Sequence, residues 1–320
     1  MRERLTRRSS HLWFPFALIL ACGCGSDGDG QASATAPDDT VVDLTNAILT
    51  RVSTDCSDYA DTYMSTVRDI NRDLGFTGDL TISVTDNHCV FSANAIPNHD
   101  FNDGPRSFVN TAQAQSVTYR VPRAPAITGT STALSLRTDN AIFLNGVKLD
   151  LLAAGCFGVG DGRIGCFDIG VPFRYDPMAA TADFGTDSHN AHTQPDGTYH
   201  YHGNPNALFA DDTSSSSPVI GFAADGFPIY GSTIRDGESF RKVSSSYRLK
   251  SGTRSAVGGT DPGGTYDGTF VDDYEYAAGS GDLDDCNGMS IGGAYGYYVT
   301  DTYPWVLGCF KGTPDTSFNK

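Results

Sequence analysis

Between Val41 and Leu74, apolar residues return every three or four positions: Val42, Leu44, Ile48, Leu49 and Val52, then Tyr59, Tyr63, Val67, Ile70 and Leu74. That spacing predicts one or two amphipathic helices, broken near Thr54-Asp55, with Gly75 as a C-cap. Past residue 75 the helical period is lost. DLTISVT (79–85), SVTYRV (116–121) and AIFLNGVKLD (141–150) are short β-type runs bounded by Gly, Pro, Asn and Asp. The chain holds 36 Gly and 15 Pro, most of them after residue 75, so loops are numerous and strands short. DPMAATADFG (176–185) and DSHNAH (187–192) each predict a turn or two of helix. The expected fold class is mainly β, in an α+β arrangement: a β-rich domain of short strands and long loops over 79–320, preceded by a helical segment over 41–78.

The N-terminus adds a compartment. Arg2, Arg4, Arg7 and Arg8 precede an apolar run from Leu12 to Ala21 that Pro15 interrupts. The run is too short to cross a hydrocarbon layer of ~30 Å as a helix, so residues 1–21 read as a secretory signal. Ile19-Leu20-Ala21-Cys22 resembles a bacterial lipobox, with Cys22 as the lipidated residue and Cys24 as a second candidate. An ordinary signal peptide is the alternative. Residues 22–40 are small and polar and read as a flexible tether. The expected location is the bacterial cell envelope, with the membrane as partner through a lipid anchor. A formal net charge of −16 repels nucleic acid, so none is expected as a partner.

Six further cysteines, Cys56, Cys89, Cys156, Cys166, Cys286 and Cys309, form an even set in a chain read as exported, which suggests disulfide bracing. Sequence does not choose among the pairings. Proximity favours Cys56 with Cys89, Cys156 with Cys166, and Cys286 with Cys309. A zinc–thiolate site is the weaker reading, because no C-x2-C knuckle is present.

The chemistry concentrates in HNAHTQPDGTYHYHG (189–203), which holds four of the chain's seven histidines. TYHYH is β-branched and aromatic and predicts a strand. His200 and His202 then share one face, and Tyr199 and Tyr201 the other. His189 and His192 are neighbours on the predicted helical turn. Pro195-Asp196-Gly197 is a turn that folds the two pairs together. Four neutral imidazoles suit zinc, copper or iron, and a catalytic ion would leave one position open. The competing reading is structural, with histidines satisfying core hydrogen bonds. Asp225, in GFAADGFPIYG (221–231), is a turn former or a carboxylate near the histidines. His99 reads as structural. The acidic FVDDYEY (270–276) and GDLDDCNG (281–288) lack EF-hand spacing, so calcium is less expected.

These words in order resemble the YHYH domain family, named for Tyr199-His200-Tyr201-His202. ANAIPNHDF (93–101), NAIFLNGVKLD (140–150), SSYRLKSGTR (245–254), GTYDGTFVDDYEY (264–276), DLDDCNG (282–288) and CFKGTPD (309–315) extend the resemblance over roughly residues 80–315. The resemblance implies an exported protein with no settled activity. Members often carry a second Tyr-His-Tyr where this chain has Tyr295-Gly296-Tyr297, and the Cys156–Cys166 loop reads as a local insertion. Three function classes stay open: a surface metal-binding protein, a metal-dependent hydrolase or oxidase, and a structural or adhesive domain. No catalytic residue is assigned.

Overall fold

The computed structural model describes residues 41–320. The expected signal segment, the lipidation candidates Cys22 and Cys24, and the tether lie outside the described residues. The described chain begins with a five-stranded sheet in sequence order: β1 (Val42–Asp43), β2 (Asp61–Asp69), β3 (Leu74–Val84), β4 (His88–Ala93) and β5 (Val117–Pro122). β1 joins β2 in parallel, and the other neighbours run antiparallel.

This overturns the helices expected over 41–78. The helical elements among the described residues are three short 3-10 turns, Cys56–Tyr59, Val271–Asp273 and Thr316–Phe318. The expectation failed on arithmetic. Tyr59, Tyr63 and Val67 are four apart, and an even step keeps a residue on one face of a strand as well as on one stripe of a helix. β2 shows the period of two, with Ser65, Val67 and Asp69 buried and Thr66 and Arg68 exposed. Its Thr, Tyr and Val content favours the extended chain. Gly75 is no C-cap: it sits inside β3 opposite Arg68, and the turn is made by residues 70–73 with Asp73 at φ 56°.

After β5 come β6 (Thr132–Ala133) and then β7 (Ala141–Phe143), β8 (Lys148–Leu149), β9 (Ala191–Thr193), β10 (Tyr199–Tyr201), β11 (Val219–Ala223) and β12 (Pro228–Tyr230). Two ribbons follow, β13 (Thr233–Asp236) with β14 (Ser239–Lys242) and β15 (Tyr247–Leu249) with β16 (Tyr274–Tyr276). Last are β17 (Gly288–Ile291), β18 (Ala294–Tyr298) and β19 (Cys309–Phe310), which pairs with β6. A second sheet of eight strands has the order β17-β18-β12-β11-β7-β8-β10-β9.

That order is one motif built twice. In each half a tight hairpin (β7–β8, β11–β12) is followed by a second hairpin (β9–β10, β17–β18). The last strand of each second hairpin runs parallel to the last strand of the first. The registers agree: Tyr201 lies opposite Leu149, and Tyr297 opposite Ile229. The tight turns are Asn145-Gly146 and Asp225-Gly226, with glycine φ of 80° and 91°. Asn145 Nδ2 donates to the Tyr201 hydroxyl at 3.0 Å, and the Tyr297 hydroxyl donates to Asp225 at 2.6 Å. Asp187 accepts the amides of His189 and Ala191, as Asp284 accepts those of Cys286 and Gly288. Tyr199 donates to Asp187 at 2.9 Å and Tyr295 to Asp284 at 3.1 Å. Asn190 and Asn287 both sit in the left-handed region, at φ 63° and 65°. The halves meet where β7 pairs with β11.

The two sheets share one core, in which Tyr59 and Phe91 pack on Phe222 with ring centroids 5.9 and 6.3 Å away. Each such side chain contributes on the order of 1.5–3 kcal/mol of burial. Three disulfides brace this frame, Cys56–Cys89, Cys156–Cys166 and Cys286–Cys309. The second closes the glycine-rich loop between residues 156 and 166.

Candidate metal centre

β9 and β10 form a hairpin over Pro195-Asp196-Gly197, closed by Gly197 N–H to Gln194 at 2.9 Å. Gly197 has φ 84°, and a Cβ there would meet the Thr111 carbonyl at 2.8 Å, so the turn needs glycine. Antiparallel register sets His192 directly opposite His200. The period of two puts His202 beside His200 on the same face. The three rings converge: Nε2 of His202 lies 3.0 Å from Nε2 of His200 and 3.1 Å from Nε2 of His192. Their ligand atoms all lie within 4.8 Å of one another. Ligands around a tetrahedral zinc at ~2.05 Å would stand about 3.3 Å apart, so the spacing fits with a small opening of the ring.

The tautomers matter more than the distances. His192 Nδ1 faces the Phe184 carbonyl at 2.8 Å, and His200 Nδ1 faces the Thr198 carbonyl at 3.2 Å. A carbonyl only accepts, so both Nδ1 atoms carry the proton and both Nε2 atoms present lone pairs. Those lone pairs point at one another across the site. One proton on His202 Nε2 cannot satisfy both in full, whereas a cation satisfies all three. Burial lowers the pKa of His192 and pushes those of His200 and His202 well below the usual value, with neighbouring imidazoles adding to the shift in the last two. The rings are therefore neutral at pH 7, as ligands must be.

The fourth expected ligand is elsewhere. Residues 187–190 make a reverse turn, closed by Asn190 N–H to Asp187 O at 3.2 Å, and no helix forms to align His189 with His192. His189 stands on the tyrosine face of the hairpin. It packs against His99 with ring centroids 4.1 Å apart and planes tilted by 52°, and its Nδ1 meets Asn206 at 2.8 Å. His99 is buried, and its Nε2 and Nδ1 bond to the Tyr201 hydroxyl (2.6 Å) and the Asp100 carbonyl (2.7 Å). Asp225 does not join the triad either. The row Ala223, Ala141, Leu149, Tyr201 separates β11 from β10 by three strand spacings, about 14 Å. Its carboxylate serves Tyr297 and the Gly312 amide.

The acidic segments are occupied as well. Asp273 is paired with Arg254 and Asp282 with Arg241, and Asp284 holds its own turn. The Cys56/Cys89 and Cys286/Cys309 groups are disulfide-bonded and offer no thiolate.

A buried charged network beside the triad escaped the sequence reading. Lys148, opposite His200 in register, donates to Asp139 at 3.0 Å and Gln194 at 3.3 Å. Tyr119 donates to Asp139 at 2.8 Å, Gln194 to Asp150 at 3.1 Å, and Lys320 reaches Asp150. The available clue was Lys148 and Asp150 breaking an otherwise apolar strand. A cleft of about 210 Å³ is lined by Met178, Phe184 and Thr186 among others. Its wall is the segment whose Phe184 carbonyl orients His192. Met178 also packs on Gly203, next to His202, where a Cβ would come within 3.0 Å of the sulfur.

A family model described as YHYH protein matches residues 118–312. The chain belongs to the YHYH protein family. The matched segment takes in the whole eight-stranded sheet and both copies of the repeated motif, and leaves β1–β4 outside it. In YHYH terms, Tyr199 and Tyr201 are frame residues, and His200 and His202 face the candidate metal. No curated protein and no solved structure matches the chain.

Proposed function

We propose that the protein is an extracytoplasmic, lipid-anchored metal-binding protein in which His192, His200 and His202 hold one zinc, copper or iron ion. One observation carries the reading: three neutral imidazoles direct their Nε2 atoms at a common point, in a frame that its sister half builds without histidine. There, Met289 lies opposite Gly296, and Tyr298 follows. Imidazoles are thus not what this motif needs to fold, which counts against a purely structural or adhesive role for the triad. Three protein ligands leave a fourth position for water or a substrate atom. The adjoining cleft supports, as a second reading, a metal-dependent hydrolase or oxidase. Disulfide bracing accords with export, and the lipobox-like Cys22 accords with an anchor.

The test is metal analysis of protein purified without chelator or affinity histidines, followed by titration with zinc, copper(II) and iron(II). The expected result is one ion per chain, a raised melting temperature, and loss of both in a His200→Ala variant. Absence of any bound ion and of any metal-dependent thermal shift overturns the reading.

A further inference from the structure

The triad is asymmetric in its outer contacts. His192 and His200 each have a carbonyl on Nδ1, while His202 Nδ1 is buried with no hydrogen-bond partner. A second buried atom without a partner is Oδ1 of Asp150. The two residues are neighbours. β8 and β10 run parallel with Lys148 opposite His200 and Leu149 opposite Tyr201, and the Asp150 amide donates to the Tyr201 carbonyl at 2.9 Å. The next step in register sets Asp150 beside His202, with both side chains on the Lys148–His200 face. Asp150 is 4% exposed and His202 likewise 4%. Two unsatisfied buried atoms, one a donor when Nε2 holds a metal and the other an acceptor, thus share one corner of the site. A buried polar atom left without a partner is destabilising, so each gains from meeting the other. The Asp150 backbone carbonyl is the other acceptor near His202.

We propose that Asp150 is the positioning residue of the metal centre: its Oδ1 accepts the His202 Nδ1–H, directly or through one enclosed water, when Nε2 carries the ion. Its Oδ2 accepts from Gln194 and Lys320, which leaves Oδ1 free for this duty. Metal-bound imidazoles take such an acceptor as a rule, since it sets the tautomer and the ring angle and raises ligand basicity. In the sister half the equivalent of Asp150 is Tyr230, whose ring stacks on Tyr298 at 4.9 Å. The carboxylate therefore accompanies the histidines and is missing where they are missing.

This inference rests on the metal reading, and its experiment separates the two. Zinc affinity of the full chain is measured by competition with a chromogenic chelator, for wild type, Asp150→Asn and Lys320→Met. Asp150→Asn is expected to weaken zinc binding about 10–100-fold. Lys320→Met, which removes a cation and keeps the carboxylate, is expected to bind zinc equally or more tightly. A merely structural network predicts that both variants weaken alike, and that result overturns the proposal. In the zinc-loaded wild type, the His202 Hδ1 resonance is expected further downfield than those of His192 and His200, because a carboxylate accepts more strongly than a carbonyl. This readout stands even if Asp150→Asn fails to fold. A His202 resonance matching the other two, or unchanged in Asp150→Asn, makes the backbone carbonyl the acceptor and overturns the proposal. Wild type that takes no zinc overturns the metal reading itself.

Discussion

The two halves of the eight-stranded sheet share register, turn glycines, an aspartate that ties down a turn, an asparagine in the left-handed region and a Tyr-x-Tyr strand. They differ in what projects from the face opposite those tyrosines. One half presents His192, His200 and His202; the other presents Met289, Gly296 and Tyr298, with the Tyr230 ring filling the space that Gly296 leaves. The comparison separates frame from chemistry inside a single chain. What both halves keep is what the fold requires, and what only one half has is free to serve a ligand.

The sharpest way to break this comparison is to move one half toward the other. His192→Met installs the residue of the sister half. Metal affinity is expected to fall by more than the ~10–100-fold typical of losing an outer partner, while the melting temperature of chelator-treated protein shifts by only a few degrees. Isothermal titration and thermal scans check this, and a variant that fails to fold breaks the division between frame and chemistry.

Acid should also distinguish the halves. A histidine whose folded pKa is lowered stays neutral in the native state, while the unfolded chain takes up a proton near pH 6.5. Its stability contribution is therefore full above 6.5 and lost as pH falls toward the lowered value. Burial lowers His192, His200 and His202, and brings His99 to about 3. Each contributes a slope of about 1.4 kcal/mol per pH unit in its own window. Asp187 and Asp225, one in each half, are pushed up by burial, as is Asp150 beside the triad, and all three act with the opposite sign at lower pH. Hydrogen exchange of metal-free protein, corrected for intrinsic rates, is expected to show β9–β10 losing protection between pH 6.5 and 5 while β17–β18 keeps it.

Two smaller effects test the shared frame. Tyr297→Phe strips a buried carboxylate of its 2.6 Å donor and removes the acceptor of the Lys311 amide, so it should cost about 2–3 kcal/mol. Tyr201→Phe removes neutral contacts to Asn145 and His99 and should cost about 1–2 kcal/mol. Asn287→Gly keeps the left-handed turn but gives up bonds to Tyr298, Thr300 and Val306, whereas Asn190→Gly gives up one bond to Asn204. Urea denaturation is expected to rank Asn287→Gly about 1 kcal/mol below Asn190→Gly.

How far this was legible varied by residue. The 79–85 and 116–121 strands, the β character of 141–150, the Pro195-Asp196-Gly197 turn and the shared face of His200 and His202 follow from local chemistry and could be read, whereas the Asn145-Gly146 hairpin that splits 141–150 into β7 and β8 was not read. The disulfides formed are the pairs that proximity favoured, although the sequence itself did not choose among the pairings. Val41–Leu74 could not, because a spacing of four serves either period and only pairing with β3 decides it. His189 was misplaced for a related reason. It lies three positions before His192, a spacing that aligns side chains only if the backbone is helical, and Asp187 instead captures the amides of His189 and Ala191 in a turn that feeds β9. Lys148, Asp139, Gln194 and Lys320 come together only through strand order, which is a property of the whole sheet. Tyr295-Gly296-Tyr297 could be set beside the family's second Tyr-His-Tyr, but its equivalence to Tyr199-His200-Tyr201 lies in hydrogen bonds to Asp284 and Asp187, whose neighbours are dissimilar in sequence.

Position 286 is the counterpart of position 189, and there the halves part in another way. Cys286 is bonded to Cys309, so the turn of the sister half is stapled to β19. His189 makes only noncovalent contacts, with His99 and Asn206. The molecule thus has one wing latched by oxidation and one wing that, on the proposed reading, is latched by coordination. Breaking the Cys286–Cys309 bond by substitution and stripping the ion with a chelator would then act as separate keys, each loosening a different wing.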